Sequence, residues 1–219
     1  MKLTKLSNKQ MRKLKIGVVG LTLVVALGVA GLSAYFTDTK STTNTFTIGK
    51  VSQELTEPSW NKDNPPKNIT PGQELEKDPQ VTNTGTNDQY VFMTVAVPYA
   101  NIMTVNDDGT KNTATDTPLF TYTTNEGWTQ IGNSVKNEDN HTYVYTYYYG
   151  KDNTMMILSK NQTTPALFNK VRFVDAVEGQ GLQDSTQNIL VNSYGIQTTH
   201  LGNATTPDQI WQLVYDQTN

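Results

Sequence analysis

Between Ile16 and Leu32 the chain carries no charge. The residues before this run carry six positive charges (Lys2, Lys5, Lys9, Arg12, Lys13 and Lys15) and no negative one. A segment of this kind is set apart from whatever folds after it. It reads as an export signal, with a basic start, an apolar run of Val, Leu, Ala and Gly, and an exit of small residues at Gly31, Ser33 and Ala34 where a signal peptidase cuts. At 17 residues the run is slightly long for a signal core. It is slightly short of the about 20 residues that a comfortable membrane span needs, so a retained anchor is the alternative. Under either reading the basic residues hold the N-terminus on the cytoplasmic side. Residues 1–34 are therefore expected to be a signal peptide, cut at Ser33, Ala34 and Tyr35, and to be the chain's only membrane contact, before cleavage.

The signal also hides the charge of what it exports. Without residues 1–34 the chain keeps 11 basic and 20 acidic residues, a net of −9. A surface of that sign does not bind phosphate backbones, which excludes nucleic acid as a partner. There is no cysteine, so disulfide scaffolds, thiolate metal sites and a cysteine nucleophile are excluded as well. The exported part must be stabilised by an ordinary apolar core, for which its length is ample.

That part is rich in Thr, Asn, Tyr and Val, the chemistry of strands and turns. Thr45-Phe46-Thr47-Ile48 alternates polar and apolar. Tyr90 to Val97 is apolar on both faces and reads as a central strand. Thr142 to Tyr149 places Tyr143, Tyr145, Tyr147 and Tyr149 on one face, either as an assembly surface or as a half-exposed strand held by aromatic pairs. Lys170 to Val177 and Asn188 to Gln197 are further strands, and Val105 to Pro118 reads as a long polar loop. Turn signals recur at Asn64-Pro65-Pro66, Thr70-Pro71-Gly72, Asn83-Thr84-Gly85, Asp107-Asp108-Gly109 and Glu178-Gly179. Many short strands so punctuated predict an all-β fold, a single antiparallel β-sandwich. One helix closes it: Thr206 is an N-cap, Pro207 opens the first turn, Gln209 completes a capping box, and Ile210, Leu213 and Val214 form the apolar stripe.

Catalytic chemistry is not evident. His141 and His200 are far apart and neither has a second ligand at metal spacing. HExxH, GxSxG, Walker and GxGxxG patterns are absent. Asp107-Asp108-Gly109 lacks the spaced oxygens of a calcium loop. Trp60, Trp128 and Trp211 are scattered, as core residues or as a carbohydrate platform. No catalytic residue, cofactor or metal is expected, and the chain is not expected to be an enzyme.

Two stretches resemble a known family. The first is Ala34-Tyr35-Phe36-Thr37-Asp38, followed by Asn44-Thr45-Phe46-Thr47-Ile48-Gly49-Lys50-Val51. The second is Ile69-Thr70-Pro71-Gly72, followed by Lys77-Asp78-Pro79-Gln80-Val81-Thr82-Asn83-Thr84-Gly85 and Asp88-Gln89-Tyr90-Val91. With Tyr194-Gly195-Ile196-Gln197 and the Trp211 helix, they resemble the TasA/camelysin family of Gram-positive exported proteins, while residues 100–170 carry no such likeness. The resemblance implies cleavage by a SipW-type signal peptidase and a jelly-roll-like sandwich. It also implies a structural subunit or accessory of biofilm-matrix fibres, joined to itself or to related subunits by donor-strand exchange. The metalloprotease activity in the camelysin name is not carried over, because the sequence has no zinc motif. On this basis residues 35–52 are expected to be the donor segment, with Phe46, Ile48 and Val51 as anchors, and 53–219 the sandwich. The alternatives are a monomeric surface binding module, with carbohydrate as one ligand class, and a secreted hydrolase.

The small-residue exit makes a direct prediction. N-terminal sequencing of the extracellular protein should read from Ala34 or Tyr35, and an intact Met1 on secreted material would overturn the signal assignment.

Overall fold

A computed structural model describes residues 37–40, 51–183 and 185–218. The chain divides into two units, and all of these residues lie in the second, Tyr35–Asn219. The helix expected at 13–32 and the strand expected at 45–48 fall outside the described residues. Among the described residues no helix is long and apolar enough to cross a membrane.

The longest strand organises the rest. β5 (Gln89–Ile102) follows β1 (Thr37–Lys40), β2 (Gln53–Thr56), β3 (Glu74–Glu76) and β4 (Gln80–Asn83) in the chain. Its apolar run has no polar face to turn to water, so it must be covered on both sides. Val91, Met93, Val95 and Val97 point one way and Phe92 the other, and all five are fully buried. Both edges of β5 are paired antiparallel, on one side with β9 (Thr142–Lys151) and on the other with β12 (Leu190–Gln197). The sheet runs β1-β12-β5-β9-β10, where β10 is Thr154–Met155. β8 (Trp128–Asn137) also pairs with β9, and β6 (Thr115–Pro118) with the far end of β5.

Over the Val91–Val97 face lie two smaller antiparallel sheets. One is β3-β11-β7, with β7 at Phe120–Thr121 and β11 at Lys170–Phe173; the other is β2-β4. Val81, Phe120, Leu167, Phe168, Val171 and Phe173 fill the space between the layers in one core with the valines of β5. The opposite face carries a second core, in which Phe92, Tyr148 and Ile196 meet Ile210 and Val214 of the helix α1 (Pro207–Thr218). α1 begins as its sequence dictates. The Gln209 N–H donates to Thr206 Oγ1 at 3.4 Å, and Gln209 Oε1 accepts from the Thr206 and Thr205 amides at 3.3 and 2.9 Å. This reciprocal cap satisfies amides that the first turn leaves without partners. Trp211 seals the layer, with its ring 5.3 Å from Phe92 and 5.2 Å edge-on to Tyr194.

Two local expectations are corrected. The segment Val105 to Pro118 is not loop throughout, because its last four residues form β6 and pair with Tyr99–Ile102. β5 outruns the strands beside it, and this extra length offers an edge that even a Thr-rich stretch can fill. The strand expected over Lys170 to Val177 ends at Phe173. One more in-register bond follows, from the Val174 amide to Leu119 O at 3.0 Å, and Arg172 then turns onto Asp175 in a bidentate pair at 2.7 and 3.0 Å.

The two cores make a graded prediction. Phe92→Ala should cost about 3–5 kcal/mol by opening a cavity between sheet and helix, and Thr206→Ala about 1 kcal/mol through the lost cap. Urea titration of each variant checks both values.

Candidate assembly edges and the search for a metal centre

One edge of the main sheet is built by the chain's own N-terminal segment. β1 runs antiparallel to β12 with Thr37 opposite Ile196, Asp38 opposite Gly195, Thr39 opposite Tyr194 and Lys40 opposite Ser193. The residues expected to flank the cleavage (Ser33, Ala34, Tyr35) and the anchors Phe46 and Ile48 lie outside the described residues. The third anchor, Val51, is buried within its own unit at 6 % exposure. Its Cγ1 lies 3.2 Å from where a Cβ on Gly195 would stand.

Beneath this edge the apolar core gives way to a polar cluster that the sequence reading missed. Gln53, Asn83, Gln89 and Ser193 are all fully buried. Gln53 Nε2 donates to Ser193 Oγ at 3.0 Å. Asn83 Nδ2 donates to Leu158 O and Asn87 O at 2.8 and 2.9 Å, and Asn83 Oδ1 accepts from the Gly85 amide at 2.9 Å. Two of these residues stand in Asn-x-Gly and Asp-Gln-Tyr-Val, stretches that carry the family resemblance. The missed signal was their place just outside strong apolar runs, where a polar residue reads as exposed.

β8 forms the opposite edge and is blunted in the ways exposed edges usually are. Its pairing with β9 slips between Ile131 and Val135, with Gly132 at φ 55° supplying the left-handed turn of a bulge. Beyond the bulge Lys136 binds two carboxylates, with Nζ 2.7 Å from Asp116 Oδ2 and 2.6 Å from Glu138 Oε1. It also lies 4.7 Å over the Tyr99 ring, whose hydroxyl donates to Glu138 Oε2 at 2.9 Å. The hydrogen bonds from Lys136 hold both carboxyls below their ordinary range, with Asn101 adding to the effect at Asp116 and Tyr99 at Glu138. The same pairs raise the lysine's own pKa.

The tyrosine row of β9 faces inward. Tyr147 is buried and its hydroxyl lies 3.0 Å from that of Tyr122, whose ring sits 4.3 Å from Phe168. Burial raises the pKa of both phenols. Tyr143 packs on Tyr99 and Tyr149 on Trp128, at 5.2 and 5.5 Å. Of the two readings of this row, aromatic pairing describes it. The tryptophans are likewise engaged within the domain. Trp128 Nε1 donates to Pro165 O at 2.9 Å, and Lys77 stands 5.1 Å over Trp60 while paired to Glu57 at 2.7 Å.

His141 and His200 occupy left-handed turn positions, at φ 51° and 61°. His141 stacks on Tyr99 at 5.8 Å, and His200 Nδ1 lies 3.1 Å from Thr199 Oγ1. Asp108 closes a turn, with its Oδ1 accepting from the amide and hydroxyl of Thr110 at 2.9 and 2.6 Å. Among the described residues no group of three or more His, Cys, Asp or Glu could hold a metal ion. An open cavity of about 520 Å³ lies where β7 and β11 diverge, lined by Thr121, Thr123, Asn125, Asn169 and Lys170 among others.

The carboxylates depressed by Lys136 fix a pH dependence. Their folded pKa lies below the unfolded value, so their contribution is present above the ordinary carboxylate range and is lost as pH falls through the folded values. Lys136→Met should therefore lower the melting temperature at pH 7. Thermal melts on the two chains should converge once the pH falls below the folded carboxyl values.

The sequence profile of the camelysin metallo-endopeptidase family matches residues 9–188, from the basic N-terminus to the approach to β12. No curated protein and no solved structure matches the chain. The family's description implies a metal, and the described residues do not fit one: the two histidines sit in separate surface turns and no ligand cluster gathers around either. The match takes in the two N-terminal motifs and the sandwich as far as β11, and on it the chain belongs to the camelysin family, which includes TasA.

Proposed function

We propose that this chain is an exported structural protein, a subunit or accessory of extracellular biofilm-matrix fibres, and that it assembles by giving its N-terminal segment to a neighbour. The observation that carries the reading is β1. A short strand just after the expected cleavage point supplies the outermost position of the main sheet through four residue pairs with β12. Such a strand is held by ladder hydrogen bonds, each contributing about 1 kcal/mol net. An equivalent strand from another copy can restore them, the usual logic of β-augmentation.

The segment that would move also carries apolar anchors. Phe46 and Ile48 fall on one face of an alternating stretch, and full burial in a neighbour's groove contributes about 1.5–3 kcal/mol each. Association costs at least about 4 kcal/mol, so the anchors together with the reformed ladder can favour polymer. Val51, buried in its own unit, sets a limit: Phe46 and Ile48 can leave without opening the contact beside Gly195. The partners on this reading are further copies or related subunits, with a SipW-type peptidase acting beforehand. The chain acts as a building element and not as a peptidase.

A second reading, a monomeric carbohydrate-binding module, is favoured by the cavity between β7 and β11, whose Thr and Asn lining suits hydroxyl groups. Electron microscopy of the purified mature protein separates the two. Fibres are expected from the wild type, and Phe46→Asp with Ile48→Asp should abolish them while circular dichroism stays that of a folded domain. Fibres of unchanged repeat from the double variant would remove the donor assignment. An unfolded double variant would make the segment an integral core strand.

A further inference from the structure

Gln89 is fully buried at the start of β5, and among the described residues neither its Oε1 nor its Nε2 has a hydrogen-bond partner. Its backbone is satisfied through Leu158, with bonds of 3.2 and 2.9 Å. A buried amide with both atoms unpaired costs stability, and protein interiors rarely tolerate it without a reason. The amide lies directly under the edge where β1 docks. A Cβ on Gly195 would come within 2.7 Å of Gln89 Oε1, and Gly195 is the residue of β12 opposite Asp38. The absence of a side chain at Gly195 thus lets the Gln89 amide stand against the backbone of β12, next to Gln53 Oε1 and Val51 Cγ1 at 2.9 and 3.2 Å from the same point, as a polar socket beside the outermost strand position. An unpaired donor and an unpaired acceptor together call for a group that both accepts and donates. A carboxamide does this reciprocally, whereas an ionised carboxylate such as that of Asp38 only accepts.

The N-terminal segment holds such a group on the right parity. Residues alternate faces along a strand, so, if β1 is continued as an extended strand, Asp38, Lys40, Thr42, Asn44, Phe46 and Ile48 share one face, and sliding the segment by an even number of residues preserves it. A slide of six residues along β12 puts Asn44 opposite Gly195, Phe46 opposite Ser193 and Ile48 opposite Val191. Val191 packs against the main core. We infer that Gln89 and Gly195 form a register-selecting socket for a second copy's N-terminal strand, which docks along β12 with Asn44 opposite Gly195 and its carboxamide paired to that of Gln89. This inference rests on the strand-exchange reading and adds to it the register and the residue that reads it.

The test is a double-mutant cycle that does not require fibres. Labelled peptides spanning residues 35–51, either wild type or Asn44→Leu, are titrated against the chain Tyr35–Asn219, either wild type or Gln89→Met, with fluorescence anisotropy as the readout. Asn44→Leu should weaken binding to the wild-type chain about three- to tenfold, the size of one net hydrogen bond, and change it little on Gln89→Met. Gly195→Ala, which intrudes on the same amide, should erase the preference and serves if Gln89→Met does not fold. Equal losses on both chains, coupling that appears with Thr42→Val instead, or no peptide binding at all each overturn the inference. Fibres without this coupling would leave strand exchange standing and remove the register. Coupling without fibres would leave the socket standing and remove the polymer.

Discussion

Everything in this domain depends on β5 being apolar on both faces. A strand with one wet face could sit at the margin of a two-layer sandwich, but Val91 to Val97 cannot, because four valine and methionine side chains line one face and Phe92 stands on the other. It therefore needs a layer above and a layer below. The small sheets and the long connections through Leu158, Leu167 and Phe168 supply one, and α1 supplies the other. The helix is thus part of the fold's logic. Its Ile210 and Val214 cover Phe92, and Tyr90 of β5 packs against the same cluster, on the face turned away from the sandwich core.

This dependence explains what the sequence made legible. The central strand, the tyrosine strand beside it and the capped helix each carry a strong local signal: an unbroken apolar run, a period of two, a Thr-Pro-x-Gln start. Elements that exist only through distant partners carried none. β3 is three residues long and β7 two, too short for any period, and they are strands only because Lys170–Phe173 lies between them. β8 was hidden by its own bulge, since Gly132, Asn133 and Ser134 interrupt the alternation that would have announced it. The inward turn of the tyrosine row was also undecided by pattern, because the other face of β9, with Val144 and Tyr148, could bury as well. Only the position of Tyr122 and Phe168 shows which face is the core.

The functional residues were legible to a different degree. The family resemblance rests on short motifs, most of them before Val91, but those motifs name segments and not their contacts. The cluster of Gln53, Asn83, Gln89 and Ser193 was invisible because burial of a polar side chain comes from the packing of four separate strands and leaves no local trace. The family's peptidase description has no counterpart in the described side chains. Residues 1–50 contribute no histidine and a single carboxylate, Asp38, so the N-terminal part adds little to any ligand set.

The chemistry of the two sheet edges is asymmetric, and the asymmetry gives the strand-exchange reading a direction. At β8 the backbone edge is bent by a bulge and carries Lys136, whose charge is drawn inward over Tyr99 to Asp116 and Glu138. Such an edge resists pairing with any strand. At β12 no comparable feature stands among the described residues: the outermost position is filled by β1 of the same chain, over a glycine and an amide that has no partner among those residues. A sheet with one blunted edge and one edge occupied by its own terminal strand can neither stack edge to edge indiscriminately nor pair symmetrically through both edges. If the terminal strand is passed on, each copy gives at its N-terminus and receives at β12. Contacts of this heterologous kind extend into a filament unless their rotation closes a ring. The blunted edge and the occupied edge are then two parts of one arrangement, the first suppressing aggregation and the second deferring assembly until a neighbour's strand competes for the site.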